Sequence, residues 1–132
     1  MKTALQGIRI LDLSRVLAGP WATQLLGDYG ADVVKIERPG RGDDTRQWGP
    51  PWLGNESAYF LSTNRNKRSV TIDLACSEGK ALLRALAGEA DVLVENFRVG
   101  ALARLGLDPE DLMQRNRRLI VCSISAVGQS GS

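Results

Sequence analysis

Five short apolar runs punctuate the chain: IRILDL at 8–13, DVVKIE at 32–37, SVTIDL at 69–74, DVLVEN at 91–96 and RLIVCSIS at 118–125. Each has the length and apolar content of a buried strand. Helix signals fill several of the gaps between them. Pro20 falls in the first turn of a segment spanning 18–29, where its missing N–H costs nothing, and Gly30 can close that helix in a left-handed cap. Ser77 is a candidate N-cap for EGKALLRALAGEA, whose Ala81, Leu82, Ala85 and Leu86 share one face. Two short helical segments follow DVLVEN, the second opened by Asp108–Pro109. Strands exchanged with helices in this way predict a parallel, helix-covered sheet, an α/β fold of Rossmann-like type forming a single domain over 1–132.

One connection breaks the alternation. Residues 38–68 contain three of the five prolines and show no helical period, so they read as a long functional or mobile excursion, or as a solvated cover for a sheet edge. The stretch SISAVGQSGS carries turn residues that lead onward in an α/β sheet, so the chain is expected to be the first part of a larger unit. A hydrophobic fraction of 43% supports an ordinary core, while a net charge of +2 is too small a bias for a nucleic-acid binder. No apolar run approaches the ~20 residues needed to span a bilayer, and a signal-peptide pattern is missing, so a cytoplasmic location is expected. Without histidine, neither a zinc site nor a Ser-His or Cys-His pair can be assembled. Cys76 and Cys122 are expected to be buried thiols rather than a disulfide.

Ligands of parallel α/β sheets sit outside the carboxyl ends of the strands, which directs attention to four turns: SRVLAGP, ERPGRGDDTR, DLACSEG and ENFRVGALARLG. The first has Gly19 but no G-x-G-x-x-G, and there is no P-loop, so a dinucleotide reading loses its physical basis. What these turns do share is arginine: Arg15, Arg38, Arg98 and Arg104, whose guanidinium forks suit a ligand with several phosphates. Phe97 can stack on an adenine that Asn96 hydrogen-bonds, or it can belong to the core. NRNKRS at 64–69 is either a solvated charge run or ligand-facing. Trp48 and Trp52 can form an acyl pocket or pack on another chain. Asp12, Asp43 and Asp44 are the carboxylates left for acid–base or nucleophilic work, with Asp12 placed inside a strand and read as structural.

Several separated blocks, in order, resemble one known family. GIRILDLSRVLAGPWATQLLGDYGADVVKIERPGRGDDTR, ESAYFLSTNRNKRSVTIDL, ADVLVENFRVGALARLGL and LIVCSIS with its following GQSG are similar to the N-terminal part of the family III CoA-transferases, the group of formyl-CoA transferase, carnitine CoA-transferase and the bile-acid-inducible proteins. SRVLAGP, GDDTRQWGPP and YFLSTNRNK look most like the branch handling dicarboxylic acyl groups, of the succinyl-CoA:hydroxymethylglutarate type. The resemblance implies that Val16 and Ala18 line the path of coenzyme A. It also implies that Arg38 and Arg104 hold phosphates, that Ile72 packs near the nucleotide, and that Asn96 and Phe97 lie beside the adenine. Arg15 and Leu17 stand where formyl-CoA transferase has histidine and glutamine at the acyl end, and Ala75 stands where some members have lysine. The family's catalytic aspartate, which forms a mixed anhydride and then an aspartyl-CoA thioester, lies beyond Ser132, so no catalytic residue is assigned. The implied substrates are an acyl-CoA and a carboxylic acid, with no permanently bound cofactor, and the implied assembly is an interlocked homodimer. In this reading the segment supplies the CoA-binding part and is expected to be inactive alone; an α-methylacyl-CoA racemase and a non-catalytic CoA-binding or interaction module from a truncated gene are the alternatives.

Overall fold

The computed structural model describes residues 3–130. Five parallel strands, β1 (Arg9–Asp12), β2 (Asp32–Glu37), β5 (Lys67–Thr71), β6 (Val92–Glu95) and β7 (Ile120–Ser123), form one sheet in the order β5-β2-β1-β6-β7. The first two runs that the sequence offers therefore lie at its centre, with β1 paired to β2 on one side and to β6 on the other. Alternation along these strands sends side chains to two separate cores. Leu11, Leu13, Val34, Ile36 and Leu93 face one layer, together with Leu83, Leu102, Leu107 and Leu112. Ile10, Val33 and Val94 face the other, where Leu26 packs on them.

The second layer is made by α1 (Ala18–Asp28), which carries Pro20 in its first turn as expected. It ends in a Schellman arrangement: Gly30, at φ +99°, lets its own N–H reach the Gly27 carbonyl and the Ala31 N–H reach the Leu26 carbonyl. On the opposite face lie α3 (Ser77–Gly88), α4 (Ala101–Arg104) and α5 (Pro109–Arg115), the last capped by Asp108 with Pro109 in its first turn.

Four local expectations are corrected. The third strand runs from Lys67 to Thr71 instead of from 69 to 74, because Lys67 and Arg68 are anchored by Asp12 and Asp32 while Asp73 accepts from the Ala75 N–H and turns the chain into α3. Cys76, not Ser77, is the N-cap of α3, its Sγ accepting from the Gly79 N–H at 3.3 Å. The buried positions of α3 are Gly79, Leu83 and Ala87, and Leu82 is 48% exposed. Both cysteines are exposed free thiols, Cys76 because it caps a helix at a surface turn and Cys122 because it sits on β7, the outermost strand.

The excursion at 38–68 is more ordered than its composition suggests. It holds a 3-10 turn (Asp44–Gln47), a minimal hairpin of β3 (Trp52–Leu53) with β4 (Glu56–Ser57), and α2 (Ala58–Thr63). Ser57 caps α2 by accepting from the Phe60 N–H at 3.0 Å. Its anchor is Arg46, which pairs with Glu37 and Glu56 and lies 3.7 Å over the Phe60 ring. NRNKRS is likewise absorbed by structure: Arg65 pairs with Asp28, Lys67 with Asp12 and Arg68 with Asp32.

Candidate functional site

Strand order reverses direction between β1 and β6, and a cleft of about 520 Å³ opens beside the carboxyl ends of the strands at this switch point. That is the position where α/β sheets take ligands, because the connections diverge to opposite faces and leave a crevice. The volume lies in the range of small-molecule sites. The turn after β1 contributes Arg15 and Val16, the turn after β2 contributes Arg38 and Asp44, the residues after β5 contribute Ile72 to Ala75, and those after β6 contribute Asn96 to Arg98. Arg104 and Leu105, at the end of α4, close one side.

Of the residues singled out in the sequence, Arg15, Val16, Arg38, Ile72, Asn96, Phe97 and Arg104 come together around this cleft. Leu17 and Ala18 do not line it. Leu17 is the N-cap of α1 and Ala18 its first residue, and both side chains are exposed outside the cleft wall. Trp48 and Trp52 also lie away from it; Trp48 instead packs edge-on against Tyr59, with ring centroids 5.2 Å apart. Phe97 is partly buried against the large core, and the Arg15 guanidinium stands 4.9 Å from the centre of its ring. The Asn96 carboxamide is engaged by the turn after β1. Its Oδ1 accepts from the Arg15 N–H and its Nδ2 donates to the Arg15 carbonyl, both at 2.8 Å, because the turn after β1 lies against the end of β6.

The electrostatics sort the cleft's charges into spent and available ones. Asp43 is fully buried, accepts from the Thr45 N–H and hydroxyl through Oδ1, and places Oδ2 2.9 Å from Lys35 Nζ, a charge contact outside hydrogen-bonding alignment. Burial opposes its ionisation, but the Lys35 ammonium and the Thr45 donors outweigh burial and hold its pKa below the usual carboxylate value. Glu37 behaves alike: burial would raise its pKa, yet donors from Arg46, Ser69 and the Asp43 N–H bring it down to about 2. Asp44 is paired with Arg38. Asp12, as the sequence suggested, is structural: it accepts from Thr23 at 2.6 Å and Lys67 at 2.9 Å. Lys67 has all three protons placed, on Asp12, the Pro20 carbonyl and Asn64, and burial pushes its pKa down to about 8 against the pull of Asp12. Among the described residues, Arg15, Arg98 and Arg104 form no salt bridge, so three guanidinium groups border the cleft without a carboxylate partner.

Lys35 and Glu37 were not singled out by sequence reasoning. The available signal was Lys35 and Glu37, two of the three charges in DVVKIE, a strand paired on both sides. Charges placed there require partners, and the partners are the residues that shape the turn after β2.

Fold and cleft together define a parallel α/β module with an arginine-bordered crevice at its switch point. Residues 5–132 match the model of CoA-transferase family III, and the chain belongs to that family. It is 52% identical over 127 residues to human succinyl-CoA:glutarate CoA-transferase, covering 96% of this chain and 29% of that protein. It is also 52% identical over 136 residues to succinate–glutarate CoA-transferase of Agrobacterium fabrum, covering 98% of this chain and 34% of that one. The crystal structure of a CAIB/BAIF family protein from Brucella suis superposes with a TM-score of 0.94 at 48% identity, over 100% of this chain and 36% of the other. The chain thus spans about a third of the length of these relatives. The last two residues of the GQSGS block, Gly131 and Ser132, lie outside the described residues.

Proposed function

We propose that this segment forms the coenzyme A cradle of an enzyme that moves CoA from an acyl-CoA donor to a carboxylic acid. The observation that carries the reading is the cleft at the switch point, bordered by Arg15, Arg98 and Arg104 without carboxylate partners. A ligand with phosphates at one end and an apolar, stackable base complements arginines set beside Ile72, Leu74, Phe97 and Leu105. In this reading Arg104 holds a phosphate directly, and Arg38, oriented by Asp44 and by donation to the Gly42 carbonyl at 3.2 Å, presents its remaining donors to another.

The nucleophile is not part of this cradle. Asp43 and Asp44 are neutralised by Lys35 and Arg38, and Asp73 is engaged by the Ala75 N–H. Acyl transfer between carboxylates uses binding energy from the remote nucleotide end of CoA to hold the thioester near the attacking group. The segment's part is to supply that binding energy, and alone it is inactive. The names of the relatives favour dicarboxylic partners, succinyl and glutaryl groups.

Calorimetric titration of CoA tests the cradle. Arg104→Ala is expected to weaken binding by about 1.5 to 3 kcal/mol, the scale of a charge-assisted hydrogen bond, and Arg38→Ala by at least as much because it also leaves Asp44 beside the phosphates with only the longer contact to Arg41, at 3.8 Å. Asp44→Asn is expected to leave affinity unchanged or improved. Equal affinity in all three variants would assign CoA elsewhere.

A further inference from the structure

Val16 has φ +71°, a left-handed conformation that a β-branched side chain adopts only under constraint. The backbone leading into it is held by side chains at every polar group. The Ser14 N–H donates to Asp12 Oδ1 at 3.0 Å, and the Ser14 carbonyl accepts from Lys35 Nζ at 2.8 Å. The Arg15 N–H and carbonyl are both taken by the Asn96 carboxamide, and the Val16 N–H points to Asp43 Oδ1 at 3.4 Å. These side chains come from β1, β2, the turn after β2 and the residue after β6, so the three central connections converge on one tripeptide. The short Ser14 side chain is itself enclosed: a Cβ added at Gly19 would stand 2.3 Å from its Cβ.

Strain persists where its surroundings over-determine it, and here the surroundings form the wall of the cleft. We propose that Asn96 is a positioning residue: its two hydrogen bonds to the Arg15 peptide keep Val16 left-handed, so that the wall carrying Arg15 is built before a ligand enters. Asn96 then serves binding without touching the nucleotide. Arg15 is carried by the same peptide and lies over Phe97, so the clamp also sets where that guanidinium stands. The ligand arm of the test rests on the CoA reading above; the unfolding arm does not.

The experiment is a double-mutant cycle of Asn96→Ala and Val16→Gly in the full chain, read by thermal unfolding without ligand and by titration with CoA. Glycine takes φ +71° without penalty, so it makes the clamp dispensable. Asn96→Ala alone is expected to lower Tm by several degrees and to weaken CoA binding tenfold or more. In the Val16→Gly background the same substitution is expected to cost less than threefold in affinity and at most half the Tm shift. Equal losses in both backgrounds would overturn the proposal and make Asn96 a direct contact or a general structural residue. If Asn96→Ala does not fold, recovery of a cooperative transition in the double variant supports the clamp, and failure to recover it rejects it. If the parent chain binds no CoA, the CoA reading fails while the ligand-free cycle still decides the clamp.

Discussion

A Cβ added at Gly79 would lie 1.8 Å from the Asp73 carbonyl oxygen, whereas one added at Gly88 meets nothing within 4 Å. Both glycines belong to α3, so the pair separates close packing from helix propensity. Gly79→Ala is expected to cost about 3 kcal/mol by overpacking, and Gly88→Ala to gain up to about 1 kcal/mol, as measured by urea unfolding. The same distinction explains a residue whose purpose was not legible. Gly19 lies in the first turn of α1, near where a dinucleotide fold would use glycine for a phosphate, but here it lets α1 approach Ser14. Its identity was readable and its reason was not, because the reason is a contact across a turn. Arg15, Arg38 and Arg104 were legible as a group because strand ends are marked in the sequence; the carboxamide of Asn96 was not, since nothing local says that it would be consumed by a residue 81 positions away.

At the scale of elements, β2 shows how charges in a buried strand organise a neighbouring connection. Glu37 accepts from Arg46, Ser69 and the Asp43 N–H, tying β2 to β5 and to the ordered excursion. Its pKa of about 2 lies below the unfolded value of 4.5. The folded state therefore binds this proton more weakly, and the stability it contributes is full above pH 4.5 and is lost as pH falls through 2. The loss is on the order of 3 kcal/mol for a shift of this size. Acid unfolding of Glu37→Gln, compared with the parent, is expected to lack that slope between pH 4.5 and 2. Element boundaries were legible where propensity and packing agree, as in β2 and α1, whose ends match their turn residues. They were not legible in α3, where Ala81, Leu82 and Ala85 satisfy the helical period as well as Gly79, Leu83 and Ala87 do. Which set is buried depends on the fit of Gly79 over Asp73, a tertiary fact.

Across the whole molecule, the order β5-β2-β1-β6-β7 places the switch point, and with it the cleft, between the first and fourth strands of the sheet in sequence order. Alternation of strand and helix announced the class of fold, while strand order and the partners of each turn came only from the assembled sheet. Assembly also leaves a stripe uncovered: Leu17, Trp21, Leu25 and Tyr29 recur every four residues along α1, each between 43% and 61% exposed. Such a patch favours association in water, so light scattering of the chain is expected to show a concentration-dependent mass, reduced by Trp21→Lys. The tripeptide at 14–16 has the opposite character. A turn is ordinarily among the first parts of a protein to exchange its amide protons with solvent, but the N–H groups of Ser14, Arg15 and Val16 are held by Asp12, Asn96 and Asp43. Release of the Arg15 and Val16 N–H groups requires the turn after β1 to part from the residues after β6 and β2, so these two amides should exchange on the slow timescale of the central strands, and the rim of the cleft should open only when the sheet does.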